Sequence, residues 1–351
     1  MAKQAYNTAA PRIGKLKGEI LAHAVPKTAL GISGDQKKIG KNMGDTVVYR
    51  RWLPVGASTD GVGAAQAANI NRWTIDPAEH LVTEGATPQA ETMAPMDVTV
   101  QLQQYAVLYS YTDKTADLYE DKIPAEMKTQ TGERMGLLRE MIDYGALKGC
   151  TNKYYAGGSG RSTVAAAITI PMLRRATKGI KGNRGTFATK VLGSGPNYNT
   201  VTVEQGYIVY AHTDCENDIR ELANFKEAST YARREMIHEC EIGSCEGFRF
   251  IITPELGPII DSGAAIGGDG LVSTTGSNND VYPYIVCAKD FWANVALRGK
   301  ESFDVIHVPC EQKDSFDPLG QTGYIGAKFY SAAFVQNDGW GAIIEAGSTD
   351  I

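Results

Sequence analysis

Three groups of residues in this chain have types that chemistry could use. The first is Gly157-Gly158-Ser159-Gly160-Arg161-Ser162. A phosphate-gripping loop needs Gly, four residues, then Gly-Lys-Ser/Thr, so that backbone N–H groups and one lysine surround the phosphates. Here Tyr155 stands at the first glycine position and Arg161 at the lysine position, and the stretch reads as a flexible connector. The second group is His212, Cys215, His238, Cys240 and Cys245, which could supply a zinc shell. Their spacing matches no common finger, and cysteine is among the most buried residue types. The third is the set of five histidines, His23, His80, His212, His238 and His307. None sits in a Ser/His or Cys/His signature. No catalytic residue, cofactor or metal is therefore expected. A soluble cytoplasmic enzyme or a zinc-containing binding module remains the alternative reading. Arg50-Arg51-Trp52 is the best local candidate for a charged contact, with protection of a strand edge as the competing role.

The elements that must position these residues are those of a globular α+β chain. Its 351 residues are 43% hydrophobic and 21% charged, enough to bury a core as one large or two modest domains. The net charge of −5 argues against a general nucleic-acid binder. It is unevenly spread. Residues 1–51 hold ten Lys and Arg against three acids, +7, which leaves −12 on the remainder. A basic arm on an acidic body can bind a neighbouring copy, an acidic polymer or a membrane surface. Six cysteines without an apolar leader point to a reducing cytoplasm and no disulfides. No run reaches the roughly 20 apolar residues of a membrane span.

Along the chain, residues 1–43 are basic and small, with a short helix expected over Leu16–Ala29. Gly44–Trp52 is a strand with Val47 and Tyr49 on one face, followed by a Gly/Ala-rich loop over 54–72. Val98–Tyr111 is a second long strand whose apolar parity flips at Gln103-Gln104, which suggests a β-bulge. The two strands make an extended flap. A helix is expected over 124–149, with Pro124 in its first turn and Met135, Leu138, Ile142 and Ala146 on one face. At 1.5 Å per residue it could reach roughly 39 Å. Further helices are expected over Pro171–Gly182 and across most of Asp218–Cys240. Short strands are expected at Tyr207–His212, Gly247–Thr253, Val281–Ala288 and Val305–Val308. Asp317-Pro318-Leu319-Gly320 is a type I turn. A strand follows over Tyr324–Val335, with Ile325, Ala327, Phe329, Ala333 and Val335 on one face. Asn337-Asp338-Gly339 then reads as a hairpin turn into Trp340–Glu345, closing a long antiparallel ribbon.

Seven segments occur in a familiar order: GDTVVYRRWLP at 44–54, TEGATPQ at 83–89, QQYAVLYSYTDK at 103–114, HTDCENDIREL at 212–222, CEIGSCEGFRF at 240–250, DVYPYIVCAKDFW at 280–292 and DPLGQTGYIGAKFY at 317–330. Together they resemble the major capsid proteins of tailed phages typified by phage N-four, which have the Hong Kong 97 capsid fold. The resemblance covers roughly residues 40–347. Cys240 and Cys215 depart from it, standing where a glycine and an apolar residue are expected.

The resemblance implies a structural protein of the phage head. It would self-assemble into an icosahedral shell enclosing double-stranded DNA, and it would not be an enzyme. It implies an N-terminal arm over 1–43 and an extended loop with flanking strands over 44–112. A peripheral domain over 113–170 would carry the spine helix 124–149. The axial domain would lie mainly in 171–300, with return strands to the peripheral sheet in 301–351. Expected partners are copies of the chain in hexamers and pentamers, with scaffolding, portal and decoration or cement proteins. Packaged DNA would lie near without being gripped, and no membrane is involved. The protein would be made in the host bacterial cytoplasm and reside in the virion. Arg12, Lys15, Lys17, Arg50, Arg51, Trp52, Glu84, Gln104, Tyr105, Asp317 and Gln321 are the candidate subunit-interface residues. Arg50 and Arg51 are expected to pair with Glu84 and its surroundings on a neighbour. About 43 residues precede the first expected strand, so a separate scaffold, or none, is expected. The chain starts at Met1, and no proteolytic removal of its N-terminus is expected.

Overall fold

The computed structural model describes residues 25–53, 77–78, 80–85, 87, 92–93, 95–118, 122–189, 205–230, 236–267, 270–300, 303–313 and 317–350. The expected loop over 54–72 and most of the expected helix over Leu16–Ala29 lie outside them. From Val25 to Ala29 the chain is not helical.

Fourteen strands are described. They are β1 (Asp35–Ile39), β2 (Thr46–Trp52), β3 (Pro95–Gln101), β4 (Gln103–Thr112), β5 (Lys153–Tyr155), β6 (Tyr207–Ala211), β7 (Lys226–Glu227), β8 (Glu241–Cys245), β9 (Phe248–Ile252), β10 (Tyr282–Cys287), β11 (Trp292–Leu297), β12 (Asp304–Val308), β13 (Thr322–Val335) and β14 (Gly341–Ala346). Seven of them form the sheet β5-β14-β10-β6-β9-β8-β7. A second sheet is built around β13, which pairs with β11, β12 and β4, while β1 pairs with β11. The ribbon β2–β3 stands as a third, two-stranded sheet.

The period of two sorts the seven-stranded sheet. Successive strand residues face opposite sides. Accordingly Tyr207, Val209 and Ala211 join one core cluster and Ile208 and Tyr210 the other. Ile344 and Ile343 divide in the same way. The helix Ile170–Gly182 covers the first face through Leu173, Ala176 and Ile180, spaced three and four apart as an amphipathic helix requires. Tyr144 and Leu147 of the long helix, with Ala29 and Leu30, cover the other. With both faces buried, β6, β9, β10 and β14 are buried at every position.

The long helix runs from Ile123 to Leu147, with Pro124 in its first turn, where a missing N–H costs nothing. Its buried residues are Thr131, Met135, Glu140, Asp143, Tyr144 and Leu147, not the single stripe expected. Leu138 and Ile142 are partly buried beside Met135. The helix changes support along its length. Its middle lies on β4 and β13 through Met135, Leu138 and Ile142 against Ala327 and Phe329, and its last turn meets the seven-stranded sheet through Tyr144 and Leu147.

Four expectations are corrected. The flip near Gln103 is a handover between sheets. β3 pairs with β2, β4 pairs with β13, and the Leu102 N–H donates to the Asp45 carbonyl at 2.7 Å between them. The closing ribbon does not form. β11 already pairs with Ala332–Val335, so the chain turns through Asp338–Trp340 and β14 enters the other sheet between β5 and β10. In the segment expected to be mostly helical, Glu216–Arg220 is the only α-helix among the described residues. Asn224 turns the backbone at φ 66° and Lys226–Glu227 pairs with β8; residues 231–235 lie outside the described set. Finally, part of the expected arm belongs to the body, because β1 pairs in parallel with β11.

Met135 is fully buried between helix and sheet. Met135→Ala should therefore lower subunit stability by about 2–5 kcal/mol in a denaturant titration, through lost burial and the cavity left behind.

Candidate assembly surfaces

Fixed surfaces need fixed roots. The chain leaving residue 25 is held by main-chain bonds. The Ala29 and Leu30 N–H groups both donate to Glu140 Oε1, at 2.7 and 2.8 Å, deep in the protein. These N–H groups open a short 3-10 turn, Leu30–Ile32, and Glu140 supplies the acceptor that the turn's own residues lack. Trp292 Nε1 donates to Ser33 Oγ at 3.0 Å, and Thr253 Oγ1 to the Lys27 carbonyl at 3.1 Å. One turn on, Asn294 Nδ2 donates to Asp143 Oδ1 at 2.6 Å. Burial raises both carboxyls, against their hydrogen bonds, and takes Asp143 up to about 7. The two acids floor a cleft of about 550 Å³, rimmed by Lys37, Lys38 and Arg139. The sequence reading missed Glu140 and Asp143. Their signal was two acids on a helix face that otherwise alternates with Tyr144 and Leu147.

The β2–β3 ribbon is rooted by aromatics. Val47, Tyr49 and Val98 face the body, and Tyr49 stacks on Phe334 of β13 at 5.2 Å with the ring planes 9° apart. Lys37 Nζ sits 4.7 Å from the Tyr49 ring centre. The opposite face carries Thr46, Val48, Arg50 and Trp52, all exposed, with Trp52 56% exposed at the distal end.

The expected interface residues divide. Arg12, Lys15 and Lys17 lie outside the described residues. Arg50 already has a partner in its own chain: Nε and Nη2 donate to the two Asp97 oxygens at 2.7 and 2.8 Å across the ribbon. Arg51 points to the inner face, where burial holds its guanidinium below its usual range. Glu84 and Gln104 are exposed. Tyr105 is half-buried and turned inward, stacked on Phe329 at 5.6 Å. Asp317 serves its turn. Its carbonyl accepts the Gly320 N–H at 3.1 Å and its carboxylate the Thr322 N–H at 2.7 Å; backbone N–H groups, Gln321 first, hold that carboxyl below its usual range. The Gln321 side chain is exposed and its carbonyl accepts the Asp113 N–H.

The chemistry-bearing residues are used structurally. Arg161 grips a buried carboxylate: Nε and Nη2 meet Glu345 at 2.7 and 2.6 Å, with Lys153 Nζ at 3.8 Å. That bridge fastens the glycine-rich loop to β14. The Cys240 N–H donates to His238 Nδ1, Cys245 Sγ lies 3.6 Å from the Ala223 carbonyl, and His212 caps the turn at Asp214. Among the described residues, no three of His, Cys, Asp and Glu converge to hold a metal.

This architecture is the Hong Kong 97-type α+β fold of tailed-phage capsid subunits. The capsid of Ralstonia phage GP4 aligns over 99% of each chain at TM-score 0.65 and 13% identity. The capsid of cyanophage Pam1 aligns over 100% of each at TM-score 0.60 and 12% identity. In sequence, the chain is 22% identical over 267 residues to the major capsid protein of Pseudomonas phage KPP21; the match covers 70% of this chain and 66%, just under two thirds, of that relative. No family model matches the chain.

Two outcomes follow. Removing Arg161 leaves Glu345, among the described residues, with Lys153 at 3.8 Å as its cation, while the 37% exposure of Arg161 lets water into the vacated space, so Arg161→Ala should cost about 1–3 kcal/mol of subunit stability in urea melts. The second concerns pH. The Asp143 carboxyl rises from an ordinary 3.8 to about 7 in the fold. Below about 4 both folded and unfolded chains hold this proton; between there and about 7 only the folded chain does. Its contribution to stability is thus full at low pH and lost as pH rises through about 7. Asp143→Asn should flatten that part of the profile between pH 5 and 7.5, read from denaturation midpoints.

Proposed function

We propose that this chain is the major capsid protein of a tailed phage, self-assembling into the icosahedral shell around double-stranded DNA. The observation that carries this reading is the agreement of the whole fold, end to end, with phage capsid subunits. The role is structural: the surfaces supply geometry, and the residues fit for catalysis are spent on turns, caps and an ion pair to a buried carboxylate. In this reading the segment that Glu140 anchors at Ala29 and Leu30 belongs to the N-terminal arm by which the chain contacts neighbouring copies. The β2–β3 ribbon with the segment between its strands is the extended loop. The β13 sheet and the long helix form the peripheral domain. The seven-stranded sheet forms the axial domain and takes in β5 and β14 as well as strands between residues 171 and 300. Copies meet through head-to-tail surfaces that close into five- and six-membered rings. Each contact can be modest, since a standard interface buries about 1,600 Å² and the shell repeats it. Portal, scaffolding and decoration proteins are the further partners of such a shell. The acidic body holds packaged DNA without gripping it, and the site of residence is the virion, after synthesis in the host bacterial cytoplasm.

Sedimentation velocity with negative-stain imaging tests the proposal, on the purified full chain with and without other virion proteins. Shells, rings or tubes are expected. A subunit that stays monomeric even with its virion partners would overturn it.

A further inference from the structure

The helix Ile170–Gly182 has two sides. Leu173, Ala176 and Ile180 are fully buried on the seven-stranded sheet, while Arg174, Arg175, Lys178 and Lys181 are exposed on the opposite side. Arg184 is exposed just beyond the helix end. Residues 144–203 hold nine Lys and Arg and no Asp or Glu, +9, which leaves −14 on the rest of a chain whose net charge is −5. This arrangement costs the helix stability. Lys178 has like charges three or four residues away at Arg174, Arg175 and Lys181. No acid occupies the first turn, where the helix dipole favours one. Arg174 is offset by Glu246 at 2.9 Å. Arg175 and Lys181 lean on the rings of Tyr154 and Phe187, 5.8 and 5.3 Å from their centres, which holds the charges in place. Local rules of this kind are broken at functional surfaces.

The sheet underneath gives the charge a direction. β6 and β14 run the same way and level with each other, because Ile285 of β10 pairs with Tyr210 on one side and Ile343 on the other. The helix ends where β14 begins: Asn183 Nδ2 donates to the Gly339 carbonyl at 3.2 Å, and Trp340 Nε1 to the Asn183 carbonyl at 3.0 Å. The other end of these strands is acidic. Directly after β6 come Asp214, Glu216 and Glu221, all with exposed side chains, and Arg220 is the one Lys or Arg among residues 212–221. Glu216 already holds Arg220 at 2.7 Å.

We propose that the cationic end of this body, Lys178, Lys181 and Arg184, docks against the acidic Asp214–Glu221 end of a second copy in the same ring. The inference rests on the capsid reading and deepens it by naming two surfaces that meet. Two observations choose the occupant. A head-to-tail contact joins two different patches of one chain, and these patches lie at opposite ends of one sheet. Their charges are opposite, so the contact attracts in one orientation, and two copies meeting cationic end to cationic end repel. A phosphate backbone suits the body less well, because the −14 outside residues 144–203 repels it.

The test compares full-length wild type with three variants: Lys178→Glu with Lys181→Glu, Glu216→Lys with Glu221→Lys, and all four substitutions together. Thermal melting of the free subunit is read beside the yield of DNA-free shells. All sites are on the surface, so melting temperatures should stay within about 2 °C of wild type or rise. Reversal at either end alone should lower shell yield roughly tenfold or more, because like charges then face each other. The fourfold variant swaps the two ends and should return to within about threefold of wild type. If a reversed variant misfolds, Lys178→Gln with Lys181→Gln takes its place and should lower the yield in the same direction. Reversals that leave shell yield unchanged would overturn the proposal, making both ends solvated surface. Loss at each end without recovery in the fourfold variant would also overturn it, since the two ends then have other partners. A defect confined to DNA-filled shells would assign the cationic end to phosphate instead. Wild type that forms no shell under any condition would remove the capsid reading and this inference with it.

Discussion

The backbone pairing of one strand sets the register of everything that faces outward. β13 runs fourteen residues and hydrogen-bonds to β4 from Thr322 to Ser331, to β12 from Tyr324 to Lys328 and to β11 from Ala332 to Val335. Through β4 it carries the ribbon, and through β11 it carries β1 and the chain leading to the N-terminus. One face of β13 also receives the long helix, at Ala327 and Phe329. A slip of one residue along β13 would turn every side chain to the other face and move three partners at once. The turn at Asp317 to Gly320 fixes where this strand starts. Glycine is needed at its end, because Gly320 sits at φ 69° and a Cβ there would meet the Cys310 carbonyl at 2.7 Å.

Charge is distributed by the same logic of roots and free surfaces. Where the chain must be rigid, carboxylates are buried with a partner: Glu345 with the partly exposed Arg161, and Glu241 with Arg249, the latter at 2.7 Å with both side chains almost wholly inaccessible. Such pairs add little net stability over apolar packing, yet they fix orientation because either partner alone is penalised. Glu140 differs in using main-chain N–H groups as its partners, so it fixes the position of a segment.

Much of this was legible in the sequence, at the level of elements. Pro124 and the apolar spacing after it mark the long helix to within two residues of its ends. Asp317, Pro318 and Gly320 mark the turn. Val47 and Tyr49 mark the buried face of β2. What was not legible is sheet membership. Asn337-Asp338-Gly339 is compatible with a hairpin or with a crossing, and only the occupation of Val335 by Trp292 of β11 decides between them. β1, with sequence DQKKI, offers one fully buried residue, Ile39, so its pattern resembles a solvated loop. The Asp218–Cys240 segment has helical composition, but Ile219 and Leu222 dock into the core and Asn224 reverses the chain. Tertiary packing overrides propensity there. Among the site residues, the type and position of Arg50 and Arg51 were readable. That Asp97 would satisfy one and not the other was not, because it depends on which faces of two paired strands coincide.

The entry of β14 between β5 and β10 has a consequence in time. Every strand of that sheet other than β14 leaves the ribosome before it does, since β14 covers residues 341–346. Until then β5 lacks the strand it pairs with, β10 lacks one of its two neighbours, and Glu345 is not yet present to meet Arg161. Synthesis runs at about 5–20 residues per second and domains fold as they emerge. The last strand is therefore a checkpoint: a chain broken off by a premature stop before residue 341 keeps an incomplete sheet. Only subunits whose translation has passed that point present the finished body on which their neighbours can build.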